Sequence, residues 1–390
     1  EVLGFVARFL STGVTGQGRQ KAGGCLVRGS RTVRVAAPQT VGRLVLRVEA
    51  AGADGLFRMT RGETGAEVAV EAGGAARLEL ALDGEPGEVL LETSGEHDGW
   101  YLWGAPAVVP ESPDPRPPVV LVTMDTTRRD AVPPYGCSPE LCPHLSRFAA
   151  GATVFTNAWA TAPWTLPSHA SIMTGLYPNQ HRAGVTEDLL LGSHTTLAEL
   201  FRRRGYLTVG FAGGELASSK WGLGRGFSLY LDPDGFETRG DHQTDAVVEL
   251  LDAVSGVPLL LFVNYFDPHA LYTAPTPYGE ALDADRLASA LEIEAWREVA
   301  AGSADAFRRV ITGEVPATPE ALRWLRAAYG AEVSFMDAQM GRLFDALAAQ
   351  GLLDRSLVVA VADHGELLGE GGYFSHGHRL DPELTWIPLL

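Results

Sequence analysis

The stretch Val-Val-Leu-Val-Thr-Met, residues 119–124, is a nearly continuous apolar run that ends at Asp125. A strand that is apolar on both faces is typical of a parallel sheet with helices on either side. Three later runs have the same character, and they lie at residues 207–211, 259–263 and 357–361. Between the runs, apolar residues recur at helical spacing over residues 196–205, 245–255 and 322–347. Strands that alternate with helices predict an α/β fold with a parallel-rich sheet and helices on both faces.

Residues that can bind metals follow three of these four strands. Asp125 follows the first strand, Asp267 and His269 follow the third, and Asp363 and His364 follow the last. Any one of them alone would more often be a turn former or a helix cap. Ligands of open α/β sheets, however, gather beyond the carboxyl ends of the strands. Asp125, Asp363 and His364 offer two carboxylates and an imidazole, which suit one divalent cation with a fourth ligand position open.

The segment Ala-Pro-Trp-Thr-Leu-Pro-Ser-His-Ala-Ser-Ile-Met-Thr-Gly, residues 162–175, offers a hydroxyl for that position. Ser168 is predicted to cap a short helix that Gly175 ends, so Thr165 would lie just before a helix N-terminus. Free N–H groups and the helix dipole favour an anion there. Taken alone, the segment is better explained as an ordinary capped turn. With the strand-end residues beside it, Thr165 becomes a predicted metal ligand and a nucleophile that the metal activates.

Two histidines are candidates for binding the anion and for protonating the leaving oxygen. They are His269, in Asp-Pro-His, and His376, in Ser-His-Gly-His. The alternatives are a turn with Pro268 for His269 and a loop histidine bonded to backbone for His376. Ser168 and Ser171 are rival hydroxyls, and we expect the first to serve as the cap and the second to face away.

The bulk composition narrows the classes of partner. The chain has 390 residues, of which 46% are hydrophobic and 20% are charged, as in globular proteins with real cores. Its net charge is −17 and its basic run is only Arg202-Arg203-Arg204, which argues against a nucleic-acid partner. An acidic protein that handles an anionic substrate needs a local positive source, and a bound metal would supply it. No apolar run reaches membrane-spanning length.

Residues 1–115 read differently from the rest of the chain. Polar and apolar residues alternate at 31–35, 44–48 and 77–82, which predicts a β-sandwich that contributes no catalytic group. A proline-rich linker then leads into a second, catalytic domain over residues 116–390. Both ends of the chain read as cut, so we expect that domain to be truncated at its C-terminal end. The sequence leaves two alternatives open. Trp100, Tyr101 and Trp103 form either a sugar-binding platform or part of the core packing. The three cysteines, Cys25, Cys137 and Cys142, make no zinc-ligand pattern, and Cys137 and Cys142 are either joined by a disulfide or free.

Several motifs, in this order, resemble those of the sulfatase family within the alkaline phosphatase superfamily. They cover about residues 117–390 and comprise Met124–Asp130, Phe155–Ala158, Trp164–Ser171, Thr174–Pro178, Asp267–His269, Ala362–Glu366, His376–Gly377 and Ile387–Leu389. Each block alone is weak, but the ordered set is specific. The resemblance implies the alkaline phosphatase/sulfatase-like fold and metal-dependent cleavage of an anionic ester.

Departures from the family pattern refine this hypothesis. Thr165 stands where sulfatases carry the Cys or Ser that becomes formylglycine, and its β-branch rules out that aldehyde. His169 stands where an Arg is usual, and Thr126 stands where a second Asp is usual. Thr nucleophiles occur in relatives that transfer phosphoethanolamine or phosphoglycerol. His364 beside Asp363 is similar to the phospho-ester branch, whose metal is more often manganese or zinc than calcium.

The sequence therefore predicts a sulfatase-like hydrolase or transferase with Thr165 as nucleophile, which cleaves phosphate, phosphonate or sulfate esters, with phosphorus esters favoured. The resemblance implies one divalent ion (Mn, Zn or Ca) on Asp125, Thr165, Asp363 and His364. It makes His169, Lys220 and Arg128 the candidate substrate-binding residues, in addition to the catalytic set Thr165, His269 and His376. The substrate would be an anionic ester on a glycan or lipid head group, and the location extracytoplasmic or membrane-associated. The alternative is a catalytically degenerate relative that binds a glycan or an anion.

Overall fold

The computed structural model describes residues 24–390, apart from 29–30, 37–40, 52, 84, 86–87, 97–99, 105–106, 111–114, 234, 255, 282–286 and 289–290. The strands are β1 Gly24–Arg28, β2 Arg31–Ala36, β3 Val41–Ala51, β4 Gly55–Arg61, β5 Thr64–Val70, β6 Ala75–Asp83, β7 Glu88–Gly95, β8 Trp100–Gly104, β9 Ala107–Pro110, β10 Val119–Met124, β11 Ala158–Trp159, β12 Leu207–Phe211, β13 Leu229–Leu231, β14 Leu259–Tyr265, β15 Leu357–Ala362, β16 Leu367–Leu368, β17 Phe374–Ser375 and β18 Trp386–Ile387.

The α-helices are α1 Pro143–Gly151, α2 Thr165–Thr174, α3 Pro178–His181, α4 Leu197–Arg203, α5 Gly240–Ala253, α6 Tyr278–Ala281, α7 Glu294–Ala300, α8 Ala304–Ile311, α9 Pro319–Ala349 and α10 Pro382–Thr385. Short 3₁₀ turns lie at Arg129–Ala131, Pro133–Tyr135, Glu215–Ala217, Ser219–Trp221, Leu353–Arg355 and Glu370–Gly372. Among the described residues, no helix is both long and apolar enough to cross a bilayer.

The N-terminal strands form two antiparallel sheets. One is five-stranded, with β1, β8, β3 and β6 in order and β9 also paired to β3, and the other is four-stranded in the order β2-β7-β4-β5. Apolar side chains from both sheets share one core, as their alternation with polar residues requires. The predicted strands are confirmed, whereas the boundary at residue 115 stays a prediction. The side chains of Cys25 and of the three aromatics of β8 lie outside the described residues.

A five-stranded parallel sheet carries the rest of the chain, in the order β13-β12-β14-β10-β15. The predicted α/β fold is confirmed. Strand β14 continues past the predicted Val263 to Tyr265 because the polar Asn264 interrupts the apolar run without ending the strand. Strand β13 lies at the sheet edge and has three residues, too few to show a pattern.

Helices cover both faces of this sheet, as the apolar strands require. Along β10, Val120 and Val122 face one core, in which α5 and the long helix α9 pack, while Leu121 faces a second core that includes α2. Helix α5 begins at Gly240, earlier than predicted, because its first turn is polar and lacks the apolar spacing that reveals a helix. The sheet order places β10 between β14 and β15, so the residues that follow these three strands meet at one edge.

Candidate active site

Helix α2 carries Thr165 at its first position. Trp164 is the N-cap residue in extended conformation, and no side chain caps the helix. Gly175 ends it in the left-handed conformation (φ 70°), as predicted. The prediction that Ser168 is the cap is wrong, because Pro167 does not break the helix: proline is tolerated in the first turn, where its missing N–H would have no acceptor. Thr165 is 1% exposed and lies within the N-terminal turn.

Ser168 instead ties α2 to the end of β15. Its hydroxyl donates a hydrogen bond to the backbone carbonyl of Asp363 at 2.6 Å, and both residues are buried. Ser171, predicted to face away, is also buried, and its hydroxyl lies 3.0 Å from His181 Nε2. Ser168 therefore helps to set the position of Thr165 relative to Asp363.

Asp125, Asp363 and His364 come together as the sequence predicts. Each offers one ligand atom, these atoms all lie within 4.8 Å of one another, and the three residues are fully enclosed. His364 Nε2 lies 3.4 Å from Asp363 Oδ2 and 3.9 Å from Asp125 Oδ1. Thr165 Oγ1 lies 3.4 Å from the same Nε2. We call Asp125, Asp363 and His364 the metal cluster.

The donor set of the metal cluster fits a divalent cation. Asp125 Oδ1 and Asp363 Oδ2 are buried and accept no hydrogen bond from any described residue, a costly state for a carboxylate oxygen unless a cation neutralises it. His364 Nδ1 donates to the carbonyl of Gly365 at 2.9 Å, so the Nε2 lone pair faces the two carboxylates. That tautomer is the one that metal coordination through Nε2 requires. The cluster could therefore hold a metal ion, with Thr165 as a further oxygen ligand.

The electrostatics of the cluster lead to the same conclusion. Burial raises the pKa of Asp125 well above its usual range, and the adjacent Asp363 carboxylate raises it further. Burial also acts to raise the pKa of Asp363, but His364 and His169 more than offset this and lower it to about 2. Burial lowers the pKa of His364 to about 4, so its imidazole is neutral near pH 7. Two close carboxylates thus share one proton, which a divalent cation would replace.

His169, a predicted substrate-binding residue, lies behind the cluster with both ring nitrogens engaged. Its Nδ1 donates to the carbonyl of Thr165 at 3.0 Å, and Asp363 Oδ2 is 3.3 Å away. Its Nε2 lies 3.0 Å from the Thr123 hydroxyl, which itself accepts from Asn264 Nδ2 at 3.1 Å. His169 is 0% exposed and has no free nitrogen for a substrate. These contacts favour a positioning role for His169.

His269 and His376 border the cluster and differ in their protonation. Their ring centroids are 5.0 Å apart, and His376 lies 4.5 Å from the ring of His364. Burial lowers the pKa of His269 to about 4, and its Nδ1 donates to the carbonyl of Ala270 at 2.6 Å. Burial also acts against the charged form of His376, but the Glu366 carboxylate outweighs it and raises the pKa of His376. His376 is thus suited to donate a proton and His269 to accept one.

The contacts of Arg128 and Lys220 join neither residue to this cluster. Arg128 is buried and forms ion pairs with Asp130 and Glu370 at 2.8 and 2.9 Å. The Lys220 side chain is 62% exposed and pairs with Glu215 at 2.7 Å. Their predicted roles in substrate binding stay predictions, and both side chains have structural partners that the sequence did not reveal.

Glu366 and Asn264 contact the site although neither is among the residues predicted for it. Glu366 is 0% exposed; its Oε1 bonds to His376 Nδ1 at 3.0 Å and its Oε2 accepts from the Tyr272 hydroxyl at 3.1 Å. Asn264 reaches Asp125 Oδ2 at 3.5 Å and accepts from the backbone N–H of Gly213. The signal for Asn264 was its place as a polar residue in an otherwise apolar strand.

Thr126, directly after Asp125, adopts a positive φ of 51°, which is unusual for a β-branched residue. Its backbone N–H donates to Asp363 Oδ1 at 3.2 Å, and the Tyr329 hydroxyl donates to its carbonyl at 3.0 Å. These bonds hold the strained residue in place. The turn thereby brings the Asp125 and Asp363 segments together.

Known proteins resemble this chain over the same region. The family model described as Sulfatase matches residues 117–390. Human iduronate 2-sulfatase is 23% identical over 329 residues, covering 70% of this chain and 58% of that protein. The multifunctional alkaline phosphatase superfamily protein PehA of Trinickia caryophylli is 24% identical over 342 residues, covering 67% of this chain and 66% of that protein.

A solved structure has the same fold. The phosphonate monoester hydrolase from Silicibacter pomeroyi superposes with a TM-score of 0.56 at 22% identity, covering 70% of this chain and 67% of that one. The chain spans 58–66% of the length of the two relatives above. The matched segment includes the whole parallel sheet and the metal cluster. With a family model matched over more than half of its length, this chain belongs to the sulfatase family, within the alkaline phosphatase superfamily.

Proposed function

We propose that this chain cleaves phosphate, phosphonate or sulfate esters through Thr165 as the nucleophile, with one divalent ion on the metal cluster. The observation that carries the proposal is the position of the Thr165 hydroxyl, 3.4 Å from His364 Nε2 and at the first turn of α2. When bound, a divalent cation supplies Lewis acidity that activates the hydroxyl and neutralises the anionic ester. The ion is Mn, Zn or Ca.

The first turn of α2 offers donors for the charge on the attacked group. The backbone N–H groups of Thr165 and Leu166 have no acceptor among the described residues, as expected at a helix N-terminus, and Ser168 N–H bonds to the Trp164 carbonyl at 3.4 Å. Free N–H groups and the helix dipole stabilise a developing negative charge. This arrangement suits a tetrahedral sulfuryl or phosphoryl group attached to Thr165.

The two histidines supply the proton transfers. In the first step the Thr165 hydroxyl gives up its proton to solvent, its oxygen bonds to phosphorus or sulfur, the bond to the leaving oxygen breaks, and His376 protonates that oxygen. In the second step water or an alcohol attacks the phosphorus or sulfur and gives its proton to neutral His269, while the bond to Thr165 Oγ1 breaks. Thr165 then regains a proton from His269, and His376 regains one from solvent. Glu366 supports the first role because it holds His376 Nδ1 at 3.0 Å and leaves Nε2 for the substrate.

Phosphorus esters are the favoured substrates. Thr165 cannot form the formylglycine aldehyde, and a hydroxyl attached to a secondary carbon resembles the nucleophiles of the phosphoryl-transferring relatives. The names of two relatives support this choice, since PehA is described as an alkaline phosphatase superfamily protein and the Silicibacter pomeroyi enzyme as a phosphonate monoester hydrolase. The name of iduronate 2-sulfatase keeps sulfated glycans as the second substrate class.

A panel of p-nitrophenyl phosphate, phenylphosphonate and sulfate, assayed with Mn, Zn or Ca, tests the proposal. We expect release of p-nitrophenol that depends on the added metal and is fastest with a phosphorus ester. Peptide mass spectrometry after trapping with a slow ester should find the adduct on Thr165. An adduct on Ser168 or Ser171 would overturn the nucleophile. Lack of turnover together with retained anion binding would favour the degenerate binding protein instead.

A further inference from the structure

A small cavity of about 70 Å³ opens beside His269, and its lining is acidic. Glu237, Asp267 and Glu332 line it, and we call the space bordered by these three residues the acidic cavity. Asp267 follows β14, Glu332 projects from α9, and Glu237 lies ahead of α5. A space of this size admits several water-sized groups. It is therefore large enough for the polar end of a small substrate.

Glu332 is a buried carboxylate with an unused oxygen. The residue is 5% exposed, and one carboxylate oxygen, Oε1, accepts from the backbone N–H of Thr273. Among the described residues, no donor bonds to its second oxygen. Burial and the nearby Asp267 raise the pKa of Glu332 to about 9, more than the Thr273 N–H and the Arg239 guanidinium offset.

Asp267 shows the same deficit. Its Oδ1 accepts from the backbone N–H of Gly240 at 2.8 Å, whereas Oδ2 is enclosed and accepts no hydrogen bond within the described part of the chain. Burial raises the pKa of Asp267 to about 7. Arg239 also lines the cavity, but its guanidinium pairs with Asp241 at 2.5 Å. Asp267 and Glu332 thus each keep one carboxyl oxygen without a donor among the described residues.

We propose that the acidic cavity binds a protonated primary amine on the alcohol part of the ester substrate. The inference rests on the proposed ester-cleaving function. A primary ammonium offers three N–H donors and a positive charge, which match the free oxygens of Asp267 and Glu332 and the third carboxylate at Glu237. A metal ion suits the cavity less well, because among the described residues only the metal cluster brings three ligand atoms within mutual binding distance.

The position of the cavity fits this role. Thr165 contacts His364, the ring of His364 neighbours that of His376, and the ring of His376 neighbours that of His269, which lines the cavity. An ester held at Thr165 and bordered by the two histidines therefore points its alcohol toward His269 and the carboxylates beyond it. The exposed ring of Phe236, edge-on to His269 at 6.3 Å, borders the same approach.

Matched esters that differ only in the amine test the proposal. We would compare 2-aminoethyl with 2-hydroxyethyl esters, each as phosphate and as sulfate, on the metal-loaded protein. We expect kcat/KM to favour the amine by about 10- to 100-fold, chiefly through KM, since a buried charged hydrogen bond is gained. Choline phosphate, whose nitrogen has no N–H donor, should gain less. Glu332→Gln should reduce the amine preference to about threefold or below, and the exposed Glu320→Gln on the same helix should keep it.

Binding provides a second readout that does not need turnover. Calorimetry with Thr165→Ala protein should give tighter binding of 2-aminoethyl phosphate than of 2-hydroxyethyl phosphate, and adding Glu332→Gln should remove the difference. Equal affinities in the Thr165→Ala protein, or an amine preference that survives Glu332→Gln, would overturn the inference. Lack of p-nitrophenyl ester turnover with a retained amine preference in binding would overturn only the proposed function.

Discussion

Carboxyl side chains form two groups near the carboxyl ends of the neighbouring strands β10, β14 and β15, and the groups differ in what accompanies them. In the metal cluster, Asp125 and Asp363 face a neutral imidazole nitrogen and the Thr165 hydroxyl. In the acidic cavity, Asp267 and Glu332 line a small space beside His269, and among the described residues no three ligand atoms of this group lie within binding distance of one another. The comparison indicates that carboxylates alone do not define a metal site. Ligand spacing does, because His269 beside the cavity carries its proton on Nδ1 just as His364 does.

Replacing the nucleophile should reduce activity more than replacing a carboxyl residue of either group. Thr165→Ala removes the covalent route, and we expect kcat/KM to fall at least ~1,000-fold. Thr165→Ser should retain part of the activity, because the hydroxyl survives and only the methyl is lost. Stopped assays with the best p-nitrophenyl ester measure both variants. Full turnover in Thr165→Ala would show that another group attacks.

Metal content distinguishes the two groups of acids directly. Asp363→Asn should weaken binding of the divalent ion at least ~100-fold, since loss of a ligand costs more than loss of a residue that only orients one. The matched variant Asp267→Asn should leave the metal content unchanged. Elemental analysis after dialysis against the metal gives the answer. Equal metal content in wild type and Asp363→Asn would show that the metal cluster does not bind the ion. Loss of metal in Asp267→Asn would show that both groups of carboxyls belong to one metal site.

Glu366→Gln tests how the acid–base pair is tuned. The change keeps the side-chain shape but removes the charge that raises the pKa of His376. We expect kcat to fall about tenfold with little change in KM, a typical size for a general acid weakened but not deleted. The alkaline limb of the pH–rate profile should move to lower pH, because His376 would lose its proton earlier. Tyr272→Phe keeps the charge on Glu366 and should leave the alkaline limb at its wild-type pH. If the limb also stays in place in Glu366→Gln, His376 is not the general acid.

Much of this site could be predicted from the sequence, and the reasons are local. Apolar runs fixed the strands, and residues directly after a strand must lie at the sheet edge, so Asp125, Asp363 and His364 were found. Pro167 misled the cap assignment, because proline near a helix start fits either side of the boundary.

Side-chain partners distant in sequence could not be predicted. The bond of Glu366 to Tyr272 spans 94 positions, and no local pattern encodes it. The pairing of Lys220 with Glu215 spans only five positions, but it depends on the conformation of the short 3₁₀ turns that carry the two residues, which no periodic pattern reveals. The acidic cavity forms because Glu332 on helix α9 and Asp267 after strand β14 line the same space. The helical spacing of the sequence does not distinguish Glu332 from any other position of the helix.

Ser168→Ala measures how firmly α2 is tied to the metal cluster. The substitution leaves the buried carbonyl of Asp363 without its 2.6 Å donor, so we expect a loss of about 1–3 kcal/mol in the free energy of unfolding. Ser334→Ala is the control, because the Ser334 hydroxyl is enclosed and has no hydrogen-bond partner among the residues that the structure describes, so its removal should cost nothing. Urea unfolding compares the variants. Equal stability of Ser168→Ala and wild type would show that the bond contributes little.

The smallest expected effect concerns the acidic cavity, and it is a change in how steeply the free energy of unfolding depends on pH. Burial raises the pKa of Glu332 to about 9 in the folded protein, whereas an unfolded Glu ionises near ~4.3. Between these values the folded state binds more protons than the unfolded chain. The free energy of unfolding therefore falls as the pH rises through this window. Asp267 acts in the same direction but only up to about pH 7.

Glu332→Gln should remove this dependence. Between about pH 7 and 9 the wild type should lose up to ~1.4 kcal/mol per pH unit through Glu332, and the Gln variant should lose none through that position. The variant thus gains stability relative to wild type as the pH rises, and the two converge below about pH 4, where both side chains are neutral. Urea unfolding of the ligand-free protein at several pH values measures the two slopes, with Glu320→Gln as the exposed control. Parallel curves for wild type and Glu332→Gln would mean that Glu332 is already ionised and compensated in the folded protein, and the acidic cavity would then lack the uncompensated carboxylate that distinguishes it from the metal cluster.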